Sequence, residues 1–96
     1  MNKDFEHLED QVKAHYEALL EDADISDALD IEVYSNLDKE YLGSRILLSS
    51  GGPNVYLDTR FNLMEGYWYS DKYVFEADPS LITQIDSYLE YEWNRK

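Results

Sequence analysis

The stretch RILLSSGGPNVYLDTRFNLMEGYWYSDKYVFE, from Arg45 to Glu76, can fold into little other than short antiparallel strands joined by tight turns. Ile46-Leu47-Leu48 is an apolar run, and Ser49-Ser50-Gly51-Gly52-Pro53-Asn54 breaks it with nearly every turn-forming residue type. Val55-Tyr56-Leu57-Asp58 alternates as a half-buried strand does. A turn over Thr59 to Asn62 leads into Leu63 to Tyr69, and Ser70-Asp71-Lys72 is short enough to close a hairpin onto Tyr73-Val74-Phe75. Aromatic and β-branched residues dominate these runs and suit a pleated, half-buried surface.

Helical periodicity flanks this block. Phe5, Leu8, Val12, Tyr16 and Leu19 recur at steps of three and four, predicting a helix from Asp4 to about Asp22 with Asp4 as its N-cap. Asp78-Pro79-Ser80 signals a second helix, with Asp78 capping and Pro79 at the first helical position. Its buried stripe is expected to be Leu81, Ile82, Ile85, Tyr88, Leu89 and Trp93, with Asp86, Glu90 and Glu92 in solvent and Arg95 and Lys96 complementing the dipole. Between the first helix and the block, Leu29, Ile31 and Val33 alternate with acids and Tyr34, predicting a strand. A helix over Asp24 to Leu37 is the alternative, because Ile25, Leu29 and Val33 also keep helical spacing; the strand is preferred. Asn36 to Lys39 reads as a turn, and Tyr41 to Leu48 as the next strand, with Gly43 marking a bulge or close backbone approach. The expected fold is therefore α+β over residues 1–96 as one small domain: a helix, an antiparallel sheet of about four to five strands, and a helix, both helices on one sheet face.

Charge narrows the function. The formal net charge is -13, with 21 acids against 8 bases. Between Glu17 and Glu32 stand seven acids and no base: Glu17, Glu21, Asp22, Asp24, Asp27, Asp30 and Glu32. Such a field repels phosphate and anionic lipid, so neither nucleic acid nor a membrane is the expected direct partner; a basic protein is. With no cysteine, no apolar leader segment and no run near the roughly 20 apolar residues of a membrane span, a cytoplasmic protein is expected.

No motif for catalysis, cofactor or metal emerges. Asp22-Ala23-Asp24-Ile25-Ser26 opens like a calcium loop, but its sixth position is Asp27 instead of Gly and its twelfth is Val33 instead of Glu. His7 and His15 lack the i, i+4 spacing of a helical metal pair. Ser49-Ser50-Gly51-Gly52 has no Walker lysine and leads into a strand. A small enzyme is therefore not expected. Tyrosines form the other conspicuous set. Tyr56, Tyr67, Tyr69 and Tyr73 fall on adjacent predicted strands and are expected on the face left open by the helices, where tyrosine makes a good protein–protein anchor.

A short acidic chain with helices flanking a small antiparallel sheet resembles the DNA-mimic inhibitors of phages and mobile elements: anti-CRISPR proteins, anti-restriction proteins and uracil-DNA glycosylase inhibitors. SSGGPNVYLDTR followed by GYWYSDKYVFEADPSLITQIDSYLEYEW also looks like small phage-associated proteins. The resemblance implies a stoichiometric inhibitor, acting in the cytoplasm of a bacterial host, that blocks the DNA site of a CRISPR effector or other DNA-binding nuclease. Helical carboxylates one turn apart repeat at about 5.4 Å and can meet the Lys and Arg that otherwise hold phosphates. The residues expected to engage such a partner are Glu17, Glu21, Asp22, Asp24, Asp27, Asp30, Glu32, Tyr34, Tyr67 and Tyr69, with the chain a monomer or homodimer. The alternative is an immunity protein or antitoxin that neutralises one basic toxin or nuclease.

Overall fold

The computed structural model describes residues 3–95, with side chains from residue 5 onward. The order is α1 (Lys3–Glu21), β1 (Asp30–Ser35), β2 (Tyr41–Ser49), β3 (Asn54–Asp58), β4 (Leu63–Trp68), β5 (Asp71–Glu76) and α2 (Pro79–Asn94). The strands form one antiparallel meander in the order β1-β2-β3-β4-β5. The α+β expectation holds. The alternation of Ile31 and Val33 resolves as a strand, because both share a sheet face with buried neighbours on β2. Asp4 is already helical, so it lies inside the first turn of α1 instead of capping it.

Register sorts the side chains. Ile31, Ile46, Leu57, Met64 and Phe75 are directly paired across the sheet and point to the helix side. Leu8, Val12 and Leu19 of α1 and Leu81, Ile82, Ile85 and Leu89 of α2 close the core over them, all less than a tenth exposed. The α1 stripe therefore matches its 3.6-residue period, with Phe5 and Tyr16 packed at its margins against Tyr73 and Phe75. Two glycines permit close approaches. At Gly66 a Cβ would stand 2.1 Å from Val12 Cγ2 and 2.9 Å from Leu8 Cδ1, so the bare backbone of β4 is the seat of α1. Gly43, at φ +141°, lies against Arg60, whose Cα would sit 2.8 Å from an added Cβ.

Three positions depart from the periodicity reading. Tyr88 is 57% exposed and lies outside the buried stripe of α2. Asp86, expected in solvent, instead turns to the sheet, where its Oδ1 accepts hydrogen bonds from Tyr41 Oη (2.5 Å) and Thr59 Oγ1 (2.6 Å). The β4–β5 turn is Tyr69-Ser70, with Trp68 paired to Asp71, so β5 begins at the residue expected to lie within the turn. A two-residue turn requires positive φ, and Tyr69 adopts φ 55°.

Local chemistry fixes the ends. The Asp78 carboxylate accepts from Ser80 N at 2.8 Å and Pro79 opens α2, as expected. Arg95 donates to Glu92 at 2.6 Å, and Lys96 lies outside the described residues. Trp93 Nε1 donates to Lys39 O at 2.7 Å, tying the end of α2 to the β1–β2 turn. Asn36 Oδ1 shapes that turn by accepting from Asp38 N and Glu40 N, each at 3.0 Å.

The Gly66 seat yields a test. Gly66→Ala should lower unfolding free energy by about 1–3 kcal/mol, the usual cost of overpacking, read as a lower urea midpoint. Pairing it with Val12→Ala, which clears the closest contact, should cost less than the two single changes summed.

Candidate interaction surface

The acidic segment is built from three elements in succession. Glu17 and Glu21 lie in the last turns of α1, Asp22 follows its end, Asp24 and Asp27 lie in the connector, and Asp30 and Glu32 lie on β1. All seven side chains are exposed. Among the described residues none of the seven forms an ion pair. The paired cations lie elsewhere: Lys13 with Glu9 (3.4 Å), Arg45 with Glu65 (3.4 Å) and Arg95 with Glu92 (2.6 Å). Ser26 N donates to Asp24 Oδ1 at 2.8 Å, and that backbone bond holds the exposed Asp24 carboxyl below its usual range. Asp22, Asp24 and Asp27 share the wall of one shallow hollow with His15 and Ile25.

No basic residue occupies the last turn of α1, so its C-terminal partial negative charge faces Glu17, Glu21 and Asp22 unrelieved. A helix optimised for stability would carry the opposite sign there.

The sheet face away from the helices carries a second constellation. Arg45 lies 3.7 Å over the Tyr56 ring and reaches Glu65, whose Oε1 also accepts from Tyr67 Oη at 2.5 Å. Tyr56 and Tyr67 meet edge to face at 6.1 Å. Glu65 is only 7% exposed, although no helix covers it; the arginine and tyrosines shield it. Desolvation pulls the Arg45 pKa down, but the Glu65 charge and hydrogen bond and the neighbouring phenols outweigh it, leaving a net rise. Tyr67 is raised by burial and then by its bond to Glu65.

Asp58 is the second hub. Its Oδ1 accepts from Arg60 N (3.0 Å) and Phe61 N (3.1 Å), shaping the β3–β4 turn, and its Oδ2 accepts from Tyr34 Oη (2.8 Å). Burial and then this bond push the Tyr34 phenol up to about 12. Tyr41, on the helix side, is also pushed up to about 12, by burial and then by its bond to Asp86.

The structure divides the predicted set between the two sheet faces: Glu17 and Glu21 are carried by α1 on the helix side, Asp30 and Glu32 of β1 point to the open face, Asp22, Asp24 and Asp27 lie in the connector between them, and Tyr34 turns to the open face, where it bonds Asp58. Tyr67 is on β4, among the Arg45–Glu65 partners, and Tyr69 is in the β4–β5 turn, 84% exposed beside Trp68. Tyr56 and Tyr67 do share the open face, but Tyr73 points to α1, packing on Phe5 and Phe75. Asp58 and Glu65 escaped the sequence reading, because one carboxylate among 21 gives no sign of being buried. The aromatic alternation around them, Tyr56 two residues before Asp58 and Tyr67 two after Glu65, was the available signal. Among the described residues no group of three or more His, Asp or Glu is arranged to hold a metal ion. No helix among them is long and apolar enough to cross a membrane.

The raised phenols set an alkaline limit on stability. A tyrosine whose folded pKa exceeds its unfolded value stabilises fully below pH about 10, and the contribution disappears as pH rises through its folded pKa. For Tyr34 and Tyr41 that window is therefore 10 to about 12. Ultraviolet titration of the nine tyrosines should show a late-ionising class that shrinks in Tyr34→Phe and again in Tyr41→Phe. Stability of the wild-type chain should fall across the same window.

No protein-family model, no curated protein and no solved structure matches this chain.

Proposed function

We propose that the chain is a stoichiometric inhibitor that places its acidic ridge in the DNA site of a basic DNA-binding protein, a CRISPR effector or another nuclease. The observation that carries this reading is the acidic segment from Glu17 to Glu32, the acidic ridge of this proposal: seven exposed acids with no base among them and no ion pair. Solubility alone needs neither the clustering nor the placement against the α1 dipole. Lys and Arg arranged for phosphates find carboxylates there, and the long-range field speeds the encounter. The role needs no catalytic group and acts one to one.

A second reading, an immunity protein or antitoxin for one basic toxin, draws support from the apolar side chains set among the acids. Leu20 is 49% and Leu29 60% exposed. A surface that only imitates phosphates has no use for them, whereas a dedicated protein interface does.

The test is inhibition of DNA binding by purified CRISPR effectors and nucleases, followed by fluorescence anisotropy of labelled duplex. Equimolar protein should displace DNA from its target and lose potency as salt rises. The triple reversal Asp24→Lys, Asp27→Lys and Asp30→Lys should abolish displacement while preserving the far-ultraviolet circular dichroism. Undiminished displacement by that variant would remove the acidic-ridge mechanism. A partner held tightly but indifferent to DNA would favour the immunity reading. Glu21→Lys separates function from stability: it should raise stability by about 0.3–1 kcal/mol through the helix dipole, while weakening inhibition.

A further inference from the structure

β1 is an outer strand, paired with β2 alone among the described residues. Outer strands are usually blunted by proline, lysine or a covering element. β1, Asp-Ile-Glu-Val-Tyr-Ser, carries neither proline nor lysine, and its one irregularity lies at its end, between Tyr34 and Ser35, so the regular edge runs from Asp30 to Tyr34. Its register gives it two chemically distinct sides. Ile31 and Val33 lie opposite Ile46 and Ser44 and point to the helix layer; Asp30 and Glu32 lie opposite Leu47 and Arg45 and point to the open face.

On the helix side α2 overhangs β1 without sealing it. A cleft lined by Ile31, Val33, Tyr88, Leu89 and Trp93 runs between them. Past Ile31 and Tyr88 it continues to Ala28 and Asp24 of the connector. Ile31 is 37% and Tyr88 57% exposed, so apolar surface faces water where the cleft meets β1. Among the described residues the one cation on the cleft wall, Arg95, is bonded to Glu92 at 2.6 Å. The opposite edge differs: β5 carries Lys72, and its Tyr73 and Phe75 pack beneath α1.

We propose that the free edge of β1 accepts, as an added strand, an extended segment of the partner in which basic and apolar residues alternate. This deepens the acidic-ridge reading and rests on it for the sign of the partner's charge. A strand's side chains alternate between faces with period two. An added strand therefore sends one set into the cleft beside Ile31 and Tyr88 and the other to the open face beside Asp30 and Glu32. Backbone bonds along β1 supply affinity, and the cleft with its acidic counterpart supplies selectivity. A second copy of this chain is the wrong occupant. Edge-to-edge pairing would set Asp30 and Glu32 against the same acids, with a charge of -13 on each molecule.

The probe is a short synthetic peptide alternating lysine and valine, compared with a peptide of identical composition whose lysines and valines are in blocks. The full chain should bind the alternating peptide about tenfold more tightly. Hydrogen exchange should show new amide protection within residues 30–35. Tyr88→Ser, at an exposed position that spares the core, should cut the preference for the alternating peptide and leave the block peptide nearly unaffected. Equal binding of the two peptides would overturn edge pairing while leaving charge-driven association standing. Protection on β5 instead of β1, or binding of neither peptide, would overturn it too. The acidic-ridge reading is decided separately, by displacement of duplex DNA from a nuclease.

Discussion

The distance between α1 and β4 governs the layer above the sheet. Because Gly66 has no side chain, Val12 and Leu8 descend into the space that a Cβ would occupy, and α1 lies directly on the backbone of β4. That seat puts Phe5 and Tyr16 beside Tyr73 and Phe75 and commits α1 to the β4–β5 side. The β1–β2 side is left to α2, which is held by polar bonds as well as by its apolar stripe: Asp86 to Tyr41 and Thr59, and Trp93 to the Lys39 carbonyl. Tyr16 Oη, accepting from Asp78 N at 2.8 Å, joins the two helices at the start of α2.

The two sheet faces solve the problem of burial differently. The helix side excludes water with apolar side chains. The open side buries two carboxylates, Asp58 at 4% and Glu65 at 7% exposure, beneath aromatic rings and an arginine. A buried charge is costly unless its oxygens are bonded, and here they are: Tyr34 and two turn amides serve Asp58, while Arg45 and Tyr67 serve Glu65. Removing one partner would strand the other, so this network fixes the β3–β4 geometry more than it adds net stability.

Against that ordered centre, the acidic ridge is electrostatically unfinished. Arg45 serves Glu65, Lys13 serves Glu9 and Arg95 serves Glu92, and none is directed to residues 17–32. The ridge is confined to the end of α1, the connector and the outer strand, where repulsion is screened by water and costs least. The same placement keeps the carboxylates free for a basic partner.

The secondary-structure elements were legible in the chain alone. Periods of 3.6 and 2, the Asp78-Pro79 start and the Gly-rich turn are local signals, and they delivered two helices and five strands with small end errors. The chain also determined the acidic character of residues 17–32, since seven acids among sixteen residues without a base will be solvated in almost any fold. Facing and pairing belong to the tertiary structure. A turn at Tyr69-Ser70, one residue shorter than the Ser70-Asp71-Lys72 turn, sets Gly66 opposite Tyr73 and turns that tyrosine from the open face into the core. A one-residue change of register reverses every side chain beyond it. Asp86 follows the same logic: its helical position suggested solvent, and only the arrival of Tyr41 and Thr59 from distant strands gave its carboxylate a reason to turn inward. Periodicity is written along the chain, whereas the partner of a buried polar group is fixed only when residues far apart in sequence come within hydrogen-bonding distance.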